Sequence, residues 1–319
     1  MKITVIGPGR WGSLITWYLD TRHHDVTLYG LKDAKEMQDF LRTRKNSLLT
    51  LPESVKLSTD ISCIEDSEVV VISIPSQALQ GLFEEINTHS PKNKIFVLCM
   101  KGIEISTGRR LSEIAKENLH PSNKVAVWIG PGHVQEFYRG IPNCMVIDSE
   151  DQEVKKYLVN EFSSKLIRFY YGNDMIGNEI GAAAKNVIGI AAGFLDGVGL
   201  SSLKGALMAR GTREVARLIA AKGGNELSAY GLCHLGDYEA TVFSKYSHNR
   251  QYGESFVKGE KFEQLAEGYY TVKALVNMGK KLNIELPICN RVYEVLYENK
   301  PVMTALDELF DRALTSEFE

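Results

Sequence analysis

The sequence predicts an α/β chain: a doubly wound, mainly parallel sheet in its first half, followed by an all-α second half. Three observations carry this expectation. A glycine turn, Gly7-Pro8-Gly9-Arg10-Trp11-Gly12, directly follows the apolar run Ile3-Thr4-Val5-Ile6. Continuous apolar runs then alternate with helix-like segments to about residue 130, the pattern of strands buried on both faces and covered by helices. From about residue 173 onward only helical patterns remain, which places a first domain at 1–173 and a second at 174–319.

The elements follow in order. Ile3-Thr4-Val5-Ile6 reads as the first strand, and Trp11, Leu14, Ile15, Tyr18 and Leu19 recur at the spacings of one buried helix face. Between them, the first glycine permits a tight turn, the second lets backbone approach a pyrophosphate, and the third allows close helix–strand packing. Backbone N–H groups at the helix start would face the phosphate charge. Glycine turns also occur without any ligand; the strand before this one and the helix after it favour a Rossmann-type dinucleotide site. Val26-Thr27-Leu28-Tyr29 supplies a second strand. Val69-Val70-Val71-Ile72-Ser73-Ile74 is stopped by Pro75, Ile95-Phe96-Val97-Leu98-Cys99-Met100 follows, and Val125-Ala126-Val127-Trp128-Ile129 ends at Gly130-Pro131-Gly132. Helices are expected at 79–86 and 108–119. In such sheets the ligand crevice lies at the carboxyl ends of the strands, with a cleft toward the second domain. That domain's helices are expected at 174–194, 202–222 and 262–282, the first rich in Ala and Gly and so suited to burial.

Composition narrows the partners. With 319 residues, 44% hydrophobic and 24% charged, the chain can bury two cores. A net charge of −3 without a dense basic block favours a small-molecule partner over nucleic acid or an anionic membrane. No apolar stretch reaches the roughly 18 residues of a membrane span, and the chain starts in a core strand instead of a signal peptide, so a cytoplasmic location is expected. Five cysteines without a CxxC pair predict no disulfide framework, and seven histidines without HxxxH spacing predict no metal site.

Chemistry is sought first at Lys185, a charged residue inside Gly181-Ala182-Ala183-Ala184-Lys185-Asn186-Val187. Burial favours the neutral amine, and such a lysine can act as general acid or base near neutral pH; alternatively its stem runs along one polar stripe. Asp237 could orient Lys185 or cap a helix. Lys101 follows a strand and suits an anion or a carbonyl oxygen. Gly130 and Gly132 could present backbone N–H groups to an anion, or form a plain loop. Ser247-His248-Asn249-Arg250 combines donors with a cation that can grip phosphate, or is a solvated loop.

Taken together these residues resemble the bacterial-type NAD(P)-dependent sn-glycerol-3-phosphate dehydrogenases over nearly the whole chain. The match runs through the glycine turn, Ile74-Pro75-Ser76, Lys101-Gly102, Gly130-Pro131, Ala184-Lys185-Asn186-Val187-Ile188 and Asp196-Gly197. It continues through Arg210-Gly211, Leu235-Gly236-Asp237, Asn249-Arg250, Glu267-Gly268-Tyr269 and Leu286-Pro287-Ile288. The resemblance implies an NAD- or NADP-dependent oxidoreductase, commonly a homodimer, that interconverts sn-glycerol 3-phosphate and dihydroxyacetone phosphate for glycerophospholipid synthesis. By the same token Lys185 is the acid/base, Lys101 holds substrate and Asp237 supports the reacting hydroxyl and the lysine. Thr241 is a further substrate-side residue, with Gly130, Gly132, Ser247, His248, Asn249 and Arg250. The cofactor side takes in Gly7, Gly9, Arg10, Trp11, Gly12, Lys32, Pro75, Lys101, Val134, His248 and Glu267.

Three departures qualify that transfer. Gly132 stands where a serine or threonine is usual, so one hydroxyl toward substrate is missing. His248 stands where an arginine is usual, which leaves Arg250 or His133 to compensate, because neutral imidazole has one donor where guanidinium has five. Tyr29-Gly30-Leu31-Lys32 ends the second strand without a carboxylate for a ribose hydroxyl, and Lys32 could instead accept a 2′-phosphate. Two other readings remain open from the residues: a diverged reductase of another phosphorylated or carboxylated ketone, and a nucleotide-binding regulator without turnover.

Overall fold

A computed structural model describes residues 1–314, 316 and 317, in two units: Met1–Met100 with Leu111–Met175, and Lys101–Arg110 with Ile176 onward. The first unit is one eight-stranded sheet. Its strands are β1 (Lys2–Ile6), β2 (Asp25–Tyr29), β3 (Lys56–Ser58), β4 (Val69–Ile72), β5 (Ile95–Leu98), β6 (Lys124–Ile129), β7 (Asn143–Asp148) and β8 (Ile167–Tyr171). They lie in the order β3-β2-β1-β4-β5-β6-β7-β8. All neighbours run parallel except β6 and β7, which pair antiparallel through Val127↔Asp148 and Ile129↔Val146. Strand order reverses between β1 and β4, the switch point at which doubly wound sheets bind ligands.

Helices α1 (Arg10–Thr21), α2 (Lys35–Thr43), α3 (Leu79–Asn87), α4 (Leu111–Asn118), α5 (Val134–Tyr138) and α6 (Gln152–Phe162) belong to this unit. Leu14, Ile15, Tyr18 and Leu19 of α1 are buried against the apolar strand faces, as their spacing requires. The doubly wound sheet expected from the sequence is present, with shorter strands: β4 ends at Ile72 and β5 at Leu98, before the polar Ser73 and the cysteine at 99. The edge strands β3 and β8, and β7 beside β8, were not anticipated. β8 alternates buried Ile167 and Phe169 with exposed Arg168 and Tyr170, as an edge does.

The second unit is helical: α7 (Met175–Gly197), α8 (Lys204–Ala221), α9 (His248–Lys258), α10 (Glu267–Leu282), α11 (Pro287–Glu298) and α12 (Val302–Phe310). α7 is its axis. Gly193 meets the Arg250 carbonyl so closely that a β-carbon there would lie 2.1 Å from it, and one on Gly253 would lie 2.2 Å from the Ile190 carbonyl. The Ala/Gly-rich sequence of α7 is therefore read by contact: small residues let α9 approach backbone to backbone. Buried Glu214 accepts the Ile288 and Cys289 N–H groups at 2.8 and 2.9 Å, satisfying the start of α11. Among the described residues no helix is long and apolar enough to cross a membrane.

Candidate functional site

In the first unit the glycine turn is built as a cradle. Gly7 has φ +113°, and a β-carbon on it would sit 2.2 Å from the Ser73 carbonyl oxygen; on Gly12 it would sit 1.9 Å from the Gly7 carbonyl oxygen. A β-carbon on Gly9 meets nothing within 4 Å. Packing thus demands the outer two glycines, while the middle one faces open space in which a phosphate could approach. Gly9 is the N-cap of α1, with no side-chain cap and no acidic residue in the first turn, which suits an anion. The Trp11 indole N–H is buried with no hydrogen-bond partner among the described residues, its ring 6.0 Å from that of Phe137. These residues fit the pyrophosphate of a dinucleotide.

The two kinds of glycine predict different outcomes. Gly12→Ala forces backbone apart and is expected to destabilise the protein by about 1–3 kcal/mol as well as weaken cofactor binding. Gly9→Ala places its methyl where the phosphate would lie, so affinity should fall with a much smaller change in melting temperature. Calorimetry and cofactor titration on both variants check this.

Other predicted residues of this unit line the carboxyl ends of the strands. Pro75 precedes a short 3₁₀ turn, Ser76–Ala78, after β4. Lys32 is exposed in the turn beyond β2, where a β-carbon on Gly30 would lie 2.7 Å from the Pro8 ring. After β6, Gly130 and Gly132 have φ of +147° and +136°. A side chain at 132 would also strike the Phe137 ring at 2.2 Å, so the missing hydroxyl has a local steric reason. His133 is buried as the N-cap residue of α5, and Val134 is buried behind it.

The second unit brings Lys101, Lys185, Asp237 and Thr241 together. Asp237 Oδ2 accepts from the Lys101 ammonium at 2.7 Å and from the Lys185 ammonium at 2.9 Å. Lys185 also donates to Thr241 Oγ1 at 2.7 Å, leaving one of its three hydrogens. Asp237 lies in a 3₁₀ turn, Leu235–Asp237, and Thr241 in a single π-helical turn, Glu239–Phe243, whose extra residue re-aims the backbone. Gly189 makes room, since a β-carbon there would meet the Thr241 methyl at 2.8 Å.

Burial alone does not single out Lys185. Lys155 is 2% exposed and bonds Asp148 and the Gly172 carbonyl, and Lys204 is buried on Asp196. Lys204 also shares its carboxylate oxygen, with the Arg250 guanidinium; Lys185 differs because its fellow cation is a second ammonium and because Asp237 Oδ1 is buried without a partner among the described residues. Its pKa is lowered from 10.5 to about 8: burial disfavours the charge, Asp237 opposes that shift and Lys101 adds to it. A buried amine that titrates near 8 can both give and take a proton at working pH.

The stretch at 247–250 divides. Ser247 caps α9 through the Arg250 N–H at 3.3 Å. Asn249 accepts the Gly268 N–H at 2.9 Å and donates to Asn186 at 3.1 Å, and Asn186 donates to the Lys101 carbonyl at 3.0 Å. His248 opens α9 with its ring 6.1 Å from Phe262. Arg250 directs its guanidinium to Asp196 at 2.5 Å, Glu254 at 3.1 Å and the Ser244 carbonyl at 3.1 Å, joining α9 to the end of α7. Glu267 is the first residue of α10, beside the Gly268 N–H that Asn249 receives.

Two parts of the site carried no role in the sequence reading. Asn186 ties the backbone of Lys101 to Asn249; its place next to Lys185 was the available signal. The ion pair Arg110–Glu179, 2.7 Å and nearly buried, anchors the Lys101–Arg110 segment to α7. An apolar cavity of about 600 Å³ also lies in this unit, lined by Leu207, Glu214 and Val292 among others and by none of Lys101, Lys185 and Asp237.

Comparison with known proteins identifies the family. The model of the NAD-dependent glycerol-3-phosphate dehydrogenase N-terminus matches residues 2–155, and that of the C-terminus matches 174–307. The chain belongs to the NAD-dependent glycerol-3-phosphate dehydrogenase family. Glycerol-3-phosphate dehydrogenases [NAD(P)+] of Fusobacterium nucleatum and Thermoanaerobacter sp. are each 35% identical to it, over 98% of this chain and 97% of theirs. The crystal structure of glycerol-3-phosphate dehydrogenase from Coxiella burnetii superposes with a TM-score of 0.92 at 26% identity, covering 98% of this chain and 99% of that one. A D-mandelate dehydrogenase, at 14% identity and a TM-score of 0.63, shares the fold, with 94% and 98% of the two chains covered. The glycine turn lies inside the N-terminal match and the Lys185 segment inside the C-terminal one.

Proposed function

We propose that the protein interconverts sn-glycerol 3-phosphate and dihydroxyacetone phosphate with NAD or NADP, in the service of glycerophospholipid synthesis. The observation that carries the reading is the pair of ammonium groups, Lys101 and Lys185, converging on one oxygen of Asp237. Two cations on one anion leave a net positive charge, which suits a phosphorylated substrate. A nicotinamide dinucleotide, when bound in the first unit, supplies or accepts the hydride.

The proton falls to Lys185. In ketone reduction its ammonium gives a proton to the carbonyl oxygen that becomes the hydroxyl; in alcohol oxidation its neutral amine takes that proton back. Asp237 holds the ammonium in place, and Lys101 with Thr241 confines the oxygen. Asn249, held by Asn186 and Gly268, joins Ser247, His248 and the Gly130 and Gly132 backbone as assigned substrate contacts, while Lys32 is assigned to a 2′-phosphate where NADP binds. Arg250 acts in this reading through its ties to Asp196 and Glu254, as a brace of the loop before α9. The division of labour is read along the boundaries 1–173 and 174–319, except that Lys101 works with the second unit, and the assembly is read as a cytoplasmic homodimer, which sedimentation checks.

The test is spectrophotometric. Purified protein should oxidise NADH or NADPH with dihydroxyacetone phosphate, and failure with both cofactors removes the assignment. The pH dependence has a definite sign. Reduction needs protonated Lys185, so kcat for reduction should fall as pH rises through about 8, while kcat for oxidation rises over the same range. Parallel profiles in the two directions would dissociate Lys185 from the proton transfer.

A further inference from the structure

His234 and Tyr238 flank Asp237 in the sequence, and both are fully buried. The His234 ring makes two hydrogen bonds. Nδ1 lies 2.8 Å from the Gly181 carbonyl oxygen, and Nε2 lies 2.7 Å from the Tyr238 hydroxyl. A carbonyl only accepts, so Nδ1 carries the hydrogen and Nε2 is left to accept from Tyr238. Gly181 stands one helical turn before Lys185 on α7, and in helical geometry its carbonyl is the acceptor of the Lys185 N–H as well. The ring therefore joins the backbone that carries Lys185 to the turn that carries Asp237.

The packing is made for this ring. A β-carbon on Gly181 would come 3.0 Å from that of His234, and one on Gly211 would lie 3.4 Å from the Tyr238 hydroxyl oxygen. Backbone bonds complete the turn: the Asp237 N–H donates to the His234 carbonyl at 3.0 Å, and Gly236 to the Gly231 carbonyl at 2.9 Å. Resting on the reading of Lys185 as the acid/base, we propose that His234 and Tyr238 are positioning residues that set the distance between the Asp237 carboxylate and the Lys185 ammonium. Neither touches the reacting atoms.

The pair suits that task because it does not titrate where Lys185 does. Burial pushes the His234 pKa down to about 4, with Lys185 lowering it further and the Gly181 carbonyl and Asp237 opposing, so the ring is neutral at working pH. Burial raises the Tyr238 hydroxyl above its usual range and keeps it a donor. Asp237, Lys101 and Lys185 are the charged groups nearby, and Lys185 changes state near pH 8. The brace keeps one geometry through both protonation states of the lysine.

The test reads Lys185 directly. In protein labelled with 13C-lysine, the Cε shift of Lys185, assigned with Lys185→Met, is titrated in the full-length wild type and in His234→Leu, His234→Asn and Tyr238→Phe. His234→Leu removes both bonds; asparagine can place its amide N–H where Nδ1 was. If the brace holds Asp237 on the ammonium, His234→Leu lowers the Lys185 midpoint, because the neighbour that favours the charge has drifted. It also cuts kcat roughly 10–100-fold, as about an ångström of misplacement does, with cofactor affinity unchanged. His234→Asn recovers most of both, and Tyr238→Phe gives a smaller shift of the same sign.

Folded His234→Leu and Tyr238→Phe variants whose Lys185 midpoint stays put overturn the proposal, even if their melting temperatures fall. An upward move, the mark of water entry, overturns it too. Should His234→Leu fail to fold, Tyr238→Phe, which deletes a single oxygen, decides. The titration needs no substrate, so absence of turnover in the wild type would remove the functional reading and leave this measurement interpretable.

Discussion

Lys185→Ala is expected to lower kcat in both directions by roughly 10²–10⁴-fold, the usual worth of a positioned general acid or base, with cofactor affinity unchanged. The affinity should hold because Lys185 is not among the residues assigned to the cofactor. The fold should hold as well. Asp237 keeps the Lys101 ammonium at 2.7 Å when Lys185 is removed, so no buried carboxylate is stranded. The stability effect even has a favourable component. A lysine whose folded pKa lies below its unfolded one costs stability at every pH beneath the folded value, and the cost is relieved as pH rises from about 8 toward 10.5. Removing Lys185 therefore helps most below pH 8.

Lys155→Met provides the contrast. That lysine is buried against the Gly172 carbonyl and Asp148, whose carboxylate also accepts the Ser149 and Asp174 N–H groups at 2.9 Å. Its loss takes the lysine cation from a buried carboxylate, costing about 3–5 kcal/mol, while kcat of the surviving folded protein stays normal. Steady-state kinetics, cofactor titration and thermal melts on the two variants separate a lysine kept for chemistry from one kept for structure. A Lys185→Ala enzyme with more than about a tenth of wild-type turnover would contradict the assigned role.

The central strands and the glycine turn were legible in the sequence because each has a local cause. A strand buried on both faces must be continuously apolar, and Gly7 and Gly12 sit where carbonyl oxygens leave no room for a β-carbon. The edge strands escaped for the complementary reason: β8 is half exposed, and β3 spans only Lys56–Ser58. In the site, Lys185 stood out as a charge in an apolar helix, Asp237 and Lys101 by their places after a glycine and after a strand, and their definite roles came from the family resemblance. Their meeting at a single oxygen was not legible, since Lys101 and Asp237 are far apart in sequence. Arg250 shows the limit from the other side. Its residue type and neighbours suggested a phosphate ligand, but whether a guanidinium is available depends on Asp196 and Glu254, and only the Glu254 partner lies within helical reach in sequence. His234 carried no signal in the sequence, because what gives it a role is the Gly181 carbonyl on another element.

Asp237→Asn should have the second large effect, and its sign follows from the charge count. The wild-type site holds two ammonium groups and one carboxylate; the variant holds two ammonium groups and a neutral amide of the same shape. Asp237 is the contact that raises the Lys185 pKa against burial and Lys101, so its neutralisation sends that pKa below about 8. In the reduction direction the protonated acid then becomes scarce at neutral pH, and the falling limb of the kcat profile moves to lower pH. In the oxidation direction the amine is more often neutral yet a weaker base, and the hydroxyl loses its carboxylate neighbour, so kcat falls there too. Reduction at pH 7 should drop by about 10²-fold or more, within the range for a group that supports general acid catalysis. Adding Lys101→Met to Asp237→Asn removes the second cation and should move the limb partway back, at the expense of substrate affinity. Had Asp237 served only as a turn former, the limb would stay where it is in Asp237→Asn, and the double variant would be no better than the sum of its parts. pH profiles of the three enzymes decide between a carboxylate that sets the charge state of Lys185 and one that merely holds the chain.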